Sequence, residues 1–478
     1  MKDDGLLYFL TPNGTEYILS HQKVVTTIDY LFASLTTTTF NDESKYLSLT
    51  QTTLDPNITV GANSATLNTP GTYFVSYGIF LENTGGETTA SSPTATSFIV
   101  LNTTQNSSTR RYSASDNYLV ANSGNVTYAN TATGFITVST PDLAQIQLTT
   151  NTGGNITFSG TNNEDIPYAH FHRIYDQNFT NATFIRAAAL VTSPPSGTPT
   201  EVSFLALDTY NILLNTPVFT VPTTGYYYVQ YNADFDGTGI VGSNPRIDSY
   251  IVKNNLDNSS NFKYARNQAS VVTDAGVLRY SNTCSDIMSL TANDNLRLKI
   301  TQTTGTTISF SSATDDKKTH LVLYKLEFID DQKFEADVAA QTPTSGVRFI
   351  VPLTQVAAPN DISLSTNRIT FANAGSYLIS YTIELDGSSI VADATYESFV
   401  AINAAGTITS ATPRYGYLSE RLITHAGNLR YSVSKSFIIE VTVTDYIEWF
   451  FTQTTGQAIN VSSANVDQKM RISCSRIK

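Results

Sequence analysis

The chain has 478 residues, 41% of them hydrophobic and only 14% charged, and its 28 basic against 40 acidic side chains leave a formal net charge of −12. That balance argues against a phosphate backbone or an anionic membrane as the natural partner, since both would repel it. Two cysteines are too few for a disulfide framework, and no apolar run of about 18 residues offers a membrane-spanning helix.

Residues 1–24 form an N-terminal segment with apolar patches at Leu6–Leu10 and Tyr17–Leu19. Acids precede the first patch, unlike a secretory signal peptide. The segment reads as an attachment element or an extra strand. Further along, Gly71-Thr-Tyr73-Phe-Val-Ser-Tyr77 returns as Gly225-Tyr-Tyr227-Tyr-Val-Gln-Tyr231 and as Gly375-Ser-Tyr377-Leu-Ile-Ser-Tyr381. A repeat of about 150 residues closes an independent core, whereas a solenoid unit is far shorter. Tyr73, Val75, Tyr77 and Ile79 fall on one side of a period-two pattern, as do Tyr227, Val229, Tyr231 and Ala233, and Tyr377, Ile379, Tyr381 and Ile383. Each set predicts the core face of a strand, and the leading glycine marks a turn with an unusual backbone angle.

Other landmarks recur in the same order. Strands beginning at Ser97, Ser249 and Ser398 run into Asn102, Asn254 and Asn403. Asp142, Asp294 and Asp445 then precede apolar alternations whose core sets are Ala144, Ile146 and Leu148; Leu296, Leu298 and Ile300; and Ile447, Trp449 and Phe451. Modules two and three share Thr-Gln-Thr-Thr-Gly from Thr301 and from Thr452, so they are closer kin to each other than to module one. Short strands between Gly, Asn, Ser and Thr clusters, without helical periodicity, predict an all-β chain of three tandem jelly-roll β-sandwiches spanning 25–175, 176–330 and 331–478.

A Gly-x-Tyr strand, an Asp-led amphipathic strand, a Thr-Thr-Gly turn and the final apolar strand from Leu321 together resemble the complement globular-head and tumour-necrosis-factor-like jelly-roll superfamily. The bacterial branch is nearer, in particular the C-terminal head of the collagen-like glycoprotein of the Bacillus exosporium. The resemblance covers nearly everything after about residue 25. It implies heads of about ten strands that assemble as tight trimers, with the sheet carrying both termini packed around a three-fold axis. Two departures matter: the chain has no Gly-x-y stalk, and its heads are already joined in tandem. The junctions at 175–179 and 330–334 hold no Gly/Ser/Pro linker. A single-chain pseudo-trimer is therefore expected, its short tethers doing the stalk's work of keeping heads together.

If so, strand residues out of phase with the core face the shared axis. On the tyrosine strand these are Phe74, Tyr228 and Leu378; on the Asp-led strand, Gln145, Arg297 and Glu448, followed by Gln147, Lys299 and Phe450. One hypothesis has Arg297 and Glu448 meeting across the boundary of modules two and three and fixing the order of heads. The alternative leaves both as solvated surface charges, worth only ~0–1 kcal/mol if paired. Arg110, Arg111 and Tyr112 align with Lys263 and Tyr264 and with Arg414 and Tyr415. Such an aromatic-plus-base loop patch grips a glycan or protein or simply packs, and packing is the commoner fate.

His170-x-His172 has a spacing that can ligate metal, but no matching pair occurs in the other modules. Asp234, Asp236, Asp315 and Asp316 make no complete calcium loop and read as turn acids. Neither a nucleophile elbow nor a phosphate loop is present. The expectation is a protein that is not an enzyme and holds no cofactor or metal. It sits on the exterior of a spore, virion or cell, where it binds a receptor, glycan or neighbouring coat protein without inserting into a membrane. The alternatives are a carbohydrate-binding array and a glycan hydrolase, the latter needing only two suitably spaced acids.

Overall fold

The structure is a computed structural model that describes residues 7–10, 16–20, 30–36, 38–41, 43–51, 57–82, 94–102, 111–118, 127–139, 141–151, 153–158, 168–175, 183–190, 192–240, 245–254, 263–271, 277–310, 319–326, 333–359, 361–388, 394–409, 412, 414–422, 428–457, 459–461 and 470–477. Its regular elements are all strands, arranged as three jelly-roll β-sandwiches in chain order. Leu7–Leu10 and Glu16–Ser20 pair with each other as a separate two-stranded sheet.

Each sandwich has an inner sheet built around its tyrosine strand: Gly71–Glu82, Gly225–Thr238 or Gly375–Ser388. On one side this strand pairs antiparallel with a return strand, Thr127–Val138, Val277–Leu290 or Asn428–Val441. On the other it pairs with the closing strand, Tyr168–Tyr175, His320–Leu326 or Arg471–Arg476. The closing strand in turn pairs with the opening strand, Tyr30–Leu35, Phe184–Ala189 or Lys333–Val338, so the first and last strands of each sandwich are neighbours. In the outer sheet, the strands Asp142–Asn151, Asn295–Gln302 and Tyr446–Gln453 pair with Thr94–Leu101, Arg246–Lys253 and Thr395–Ile402. Beyond these lie the seam strands Arg111–Tyr118, Lys263–Ser270 and Arg414–Arg421, each joined through a register shift.

The core lies between the two sheets, and the alternating residues of the tyrosine and Asp-led strands are buried in it. Tyrosine recurs there because its ring fills the core while its hydroxyl ties distant chain segments together. Tyr73, Tyr227 and Tyr377 donate to the carbonyls of Thr69, Thr223 and Asn373 at 2.8, 2.8 and 3.0 Å, closing the turn before the strand. Tyr77 and Tyr231 bridge to the opposite sheet, at Ser97 Oγ (3.0 Å) and the Ser249 carbonyl (2.8 Å), which accounts for the recurrent serine. Gly71, Gly225 and Gly375 have φ of 151°, 159° and 146°, a region side chains disfavour.

The Asn and Asp landmarks form one latch. Asn102, Asn254 and Asn403 adopt left-handed φ of 57°, 55° and 53°, which asparagine tolerates better than most residues. Their Nδ2 atoms donate to Asp142, Asp294 and Asp445 Oδ1 at 2.5, 2.7 and 2.6 Å. Gln302 and Gln453 act similarly at the Thr-Thr-Gly turns. Gln302 Nε2 donates to the carbonyls of Pro194 (2.9 Å) and Thr306 (2.7 Å), while its Oε1 accepts from the Thr304 backbone and hydroxyl. Gln453 repeats the pattern with Pro343, Gln457 and Thr455. Module one has buried Thr150 at the position of Gln302 and Gln453.

Candidate inter-sandwich interface

On the inner sheets, the residues out of phase with the core are buried as well. Phe74, Tyr228 and Leu378 belong to one apolar cluster with their register partners Phe135, Ile287 and Ile438, so side chains from all three sandwiches meet. The Phe74 and Tyr228 rings stand edge to face at 5.7 Å, and Phe135 and Tyr228 at 5.2 Å. No single sandwich supplies this cluster.

Two residues along the same strands the chemistry changes. Ser76, Gln230 and Ser380 lie there beside Thr133, Ser285 and Ser436 on the return strands and His170, Val322 and Ser473 on the closing strands. All nine are buried. Gln230 Nε2 donates to the Thr133 carbonyl, linking the first and second sandwiches. Burial lowers the pKa of His170 to about 3. The His170 and His172 rings are 6.3 Å apart on this face, and among the described residues no group of three metal-ligating side chains occurs.

Three seams run outward from this centre. The seam strand Arg111–Tyr118 lies against the return strand Val277–Leu290, Lys263–Ser270 against Asn428–Val441, and Arg414–Arg421 against Thr127–Val138. In the second of these, Gln268 and Ser432 pair as backbone partners, fusing two sheets into one of 12 strands. Glu384, Ser432 and Arg266 are all buried there: Ser432 Oγ donates to Glu384 Oε1 at 2.8 Å and is 3.3 Å from the Arg266 carbonyl. Arg266 forms a two-pronged pair with Asp248 at 3.0 and 2.9 Å. Burial raises the Glu384 pKa to about 8, outweighing the pull of the Arg266 guanidinium. Lys333 and Lys435 reach across to the carbonyls of Ile287 (2.9 Å) and Thr283 (3.4 Å). The seam between the third and first sandwiches is aromatic instead, with Phe80 edge-on to Tyr417 at 4.9 Å and Phe399 stacked on Phe450 at 5.4 Å.

Arg297 and Glu448 do not meet. Arg297 Nε is 3.5 Å from Glu201 within the second sandwich, and Glu448 takes Arg368 Nε at 2.9 Å and the Gly406 backbone at 2.8 Å within the third. The reason is layer assignment: the Asp-led strands belong to the outer sheets, so their second face does not reach the centre. Gln145 Nε2 likewise stays local, donating to the Asn63 carbonyl at 3.3 Å. Phe450 does lie at a seam, through its stack on Phe399.

The supposed loop patch is strand and packed surface. Arg110 lies outside the described residues, and Arg111, Tyr112 and Lys263 occupy strand positions. Tyr264 and Tyr415 pack against the core, and Arg471 of the third sandwich sits 5.9 Å above the Tyr264 ring. Arg414 lies over Phe399 at 4.5 Å and Tyr417 at 5.9 Å, beside the aromatic seam. Asp315 and Asp316 are outside the described residues, and Asp234 is a buried strand residue.

Sequence reasoning missed Phe80, Glu384, Arg266 and Tyr417. Phe80 and Glu384 carry a signal that could have found them, being out of phase with the core on the tyrosine strand, but Arg266 and Tyr417 carry none. Each follows a residue with left-handed φ, Ala265 (44°) or Gly416 (60°), where the pairing register shifts and simple alternation fails. At Gly416 a Cβ would run into the Phe437 ring, which explains the glycine.

Neither a protein-family model nor a curated protein matches the chain. Among solved structures, murine APRIL at pH 8.0 is similar over 30% of this chain and 99% of its own, with 15% identity and a TM-score of 0.23. Eiger TNF from S. frugiperda is similar over 31% of this chain and 94% of its own, with 17% identity and a TM-score of 0.24.

Proposed function

We propose that this chain is a non-enzymatic surface or structural protein whose three sandwiches close into a single-chain pseudo-trimer. The assembly is displayed on a spore, virion or cell exterior and binds a receptor, glycan or neighbouring coat protein through its outward loops. The observation that carries the assembly is the cluster of Phe74, Tyr228 and Leu378, large side chains that are fully buried only because other sandwiches cover them. A carbohydrate-binding array of independent beads would leave all three wet. Among the described residues no helix is long and apolar enough to cross a membrane. Attachment falls to residues 1–24, whose deletion is expected to abolish incorporation into the parent particle.

Solution scattering on the full chain tests the assembly. A compact pseudo-trimer of this length has a radius of gyration of about 23 Å. A markedly larger value with a multi-bead profile overturns it. A polysaccharide panel tests the non-enzymatic part: binding without product supports it, and product release makes the chain a hydrolase.

A further inference from the structure

The three seams share one contact position, filled differently each time. The donor side is residue ten of each tyrosine strand: Phe80, Asp234 and Glu384. Pairing register fixes the receiving side. Tyr112, Tyr264 and Tyr415 oppose Ile99, Ile251 and Val400, and Ser115, Asn267 and Leu418 oppose Ser97, Ser249 and Ser398, so the position between is Ala114, Arg266 or Tyr417. Phe80 meets Tyr417, and Glu384 reaches the Arg266 backbone through Ser432 with the guanidinium nearby. The remaining combination is Asp234, itself buried, with the strand bearing Ala114.

We infer that this position is an order code: each sandwich accepts as neighbour only the one whose side chain matches. The inference rests on the pseudo-trimer reading. Shuffling the order makes the misfit concrete. In the one other cyclic order, Asp234 against Tyr417 would bury a carboxyl on an aromatic cage formed with Phe399 and Phe450, and Phe80 against Arg266 would cover a guanidinium with a ring and lose Ser432's bridge. A buried carboxyl or guanidinium with no polar partner across the seam loses its water without a bond in return, so such contacts reject wrong neighbours more strongly than matched ones reward right ones. Three identical heads cannot carry such a code, because each would offer the same pair at every seam. A chain with three diverged heads can.

The test is a double-mutant cycle at the aromatic seam of the full chain. Phe80→Glu places a carboxyl against Tyr417 and is expected to lower the thermal midpoint by roughly 5–10 °C. Tyr417→Arg alone, facing Phe80, is expected to lower it as well. Combined, they set a carboxyl beside a guanidinium as at Glu384 and Arg266, with Ala129 in place of Ser432 and with Glu397 standing where Asp248 stands beside Arg266, since each directly precedes its bulge serine. The double variant should recover at least half of the summed loss. Additive losses, or single variants without effect, overturn the code. If Phe80→Glu yields no soluble protein, Glu384→Phe with Arg266→Tyr reads the same coupling at the other seam under the same criteria. Scattering on the unsubstituted chain keeps the two failures apart: an extended profile removes the pseudo-trimer, whereas a compact profile without rescue removes only the code.

Discussion

Two adjacent layers of the centre are equally buried and chemically opposite. In the first, Phe74, Tyr228 and Leu378 with Phe135, Ile287 and Ile438 make an apolar plug, flanked on the closing strands by His172, Tyr324 and Ser475. One step along the same strands, Ser76, Thr133 and His170 meet Gln230, Ser285 and Val322 and Ser380, Ser436 and Ser473. The first layer tolerates divergence, because aromatic and aliphatic side chains of differing size can interdigitate. The second is a composite: one sandwich supplies an imidazole, one a long amide and one only serines. Three copies of Gln230 or His170 would crowd that space, and three of Ser380 would leave it half empty. Adhesion therefore resides in the plug, and non-equivalence of the heads in the polar layer above it.

The sharpest way to break this contrast is to empty the plug. Phe74→Ala removes a ring that contacts both Phe135 and Tyr228, and should cost about 3–5 kcal/mol by denaturant unfolding. A loss below about 1 kcal/mol would mean that the cluster does not hold the sandwiches together. The polar layer should instead respond to acid. An unfolded histidine takes up its proton near 6.5, whereas buried His170 does so only near about 3, so between these values the unfolded chain binds more protons. Stability contributed by neutral His170 is complete above 6.5 and is lost as the pH falls towards 3. Between pH 6.5 and about 5 the loss is about 2 kcal/mol, and His170→Val, which copies Val322 of the second sandwich, should flatten it. An unchanged slope in that variant would place the acid sensitivity elsewhere.

Much of the fold was readable because period-two alternation records which residues share a face. The same alternation also picked out Phe74, Tyr228 and Leu378. It could not say which sheet a strand joins, and for that reason Arg297 and Glu448 looked like cross-boundary partners when each has a local one, Glu201 or Arg368. Those partners come from short strands, Thr200–Glu201 and Arg368–Phe371, whose pairing with the Asp-led strands depends on long-range contacts. The seam residues Arg266 and Tyr417 lay hidden for another reason: a bulge resets the alternation just before them.

Glu384 offers the opposite pH dependence at the edge of the same inner face. Its carboxyl is held protonated up to about 8 by burial, against the pull of Arg266 and Arg471, while unfolded it ionises near 4.5. Here the folded chain binds more protons, so the contribution is complete below 4.5 and is lost as the pH rises through about 8. Glu384→Gln should remove about 1.4 kcal/mol of pH dependence between about pH 6 and pH 7, and should leave the part of the acid limb below 4.5, set by His170, unaltered. A variant that keeps the full alkaline slope would assign it to another group.

The smallest effect separates the two layers most finely. Ser380 and Ser436 face each other across two strands of the third sandwich, and the hydroxyl of each is buried with no hydrogen-bond partner. A hydroxyl in that state has lost its water without gaining a bond, so deleting it relieves a desolvation cost while removing very little volume. Ser380→Ala should change stability by no more than about 1 kcal/mol, and in the stabilising direction. The equivalent position of the second sandwich gives the control. Gln230→Ala breaks the donation to the Thr133 carbonyl and should destabilise, since it leaves a buried acceptor of the first sandwich without that bond. If both substitutions destabilise alike, the serine hydroxyls are bonded after all, and the polar layer is one continuous network rather than a joint between unlike heads.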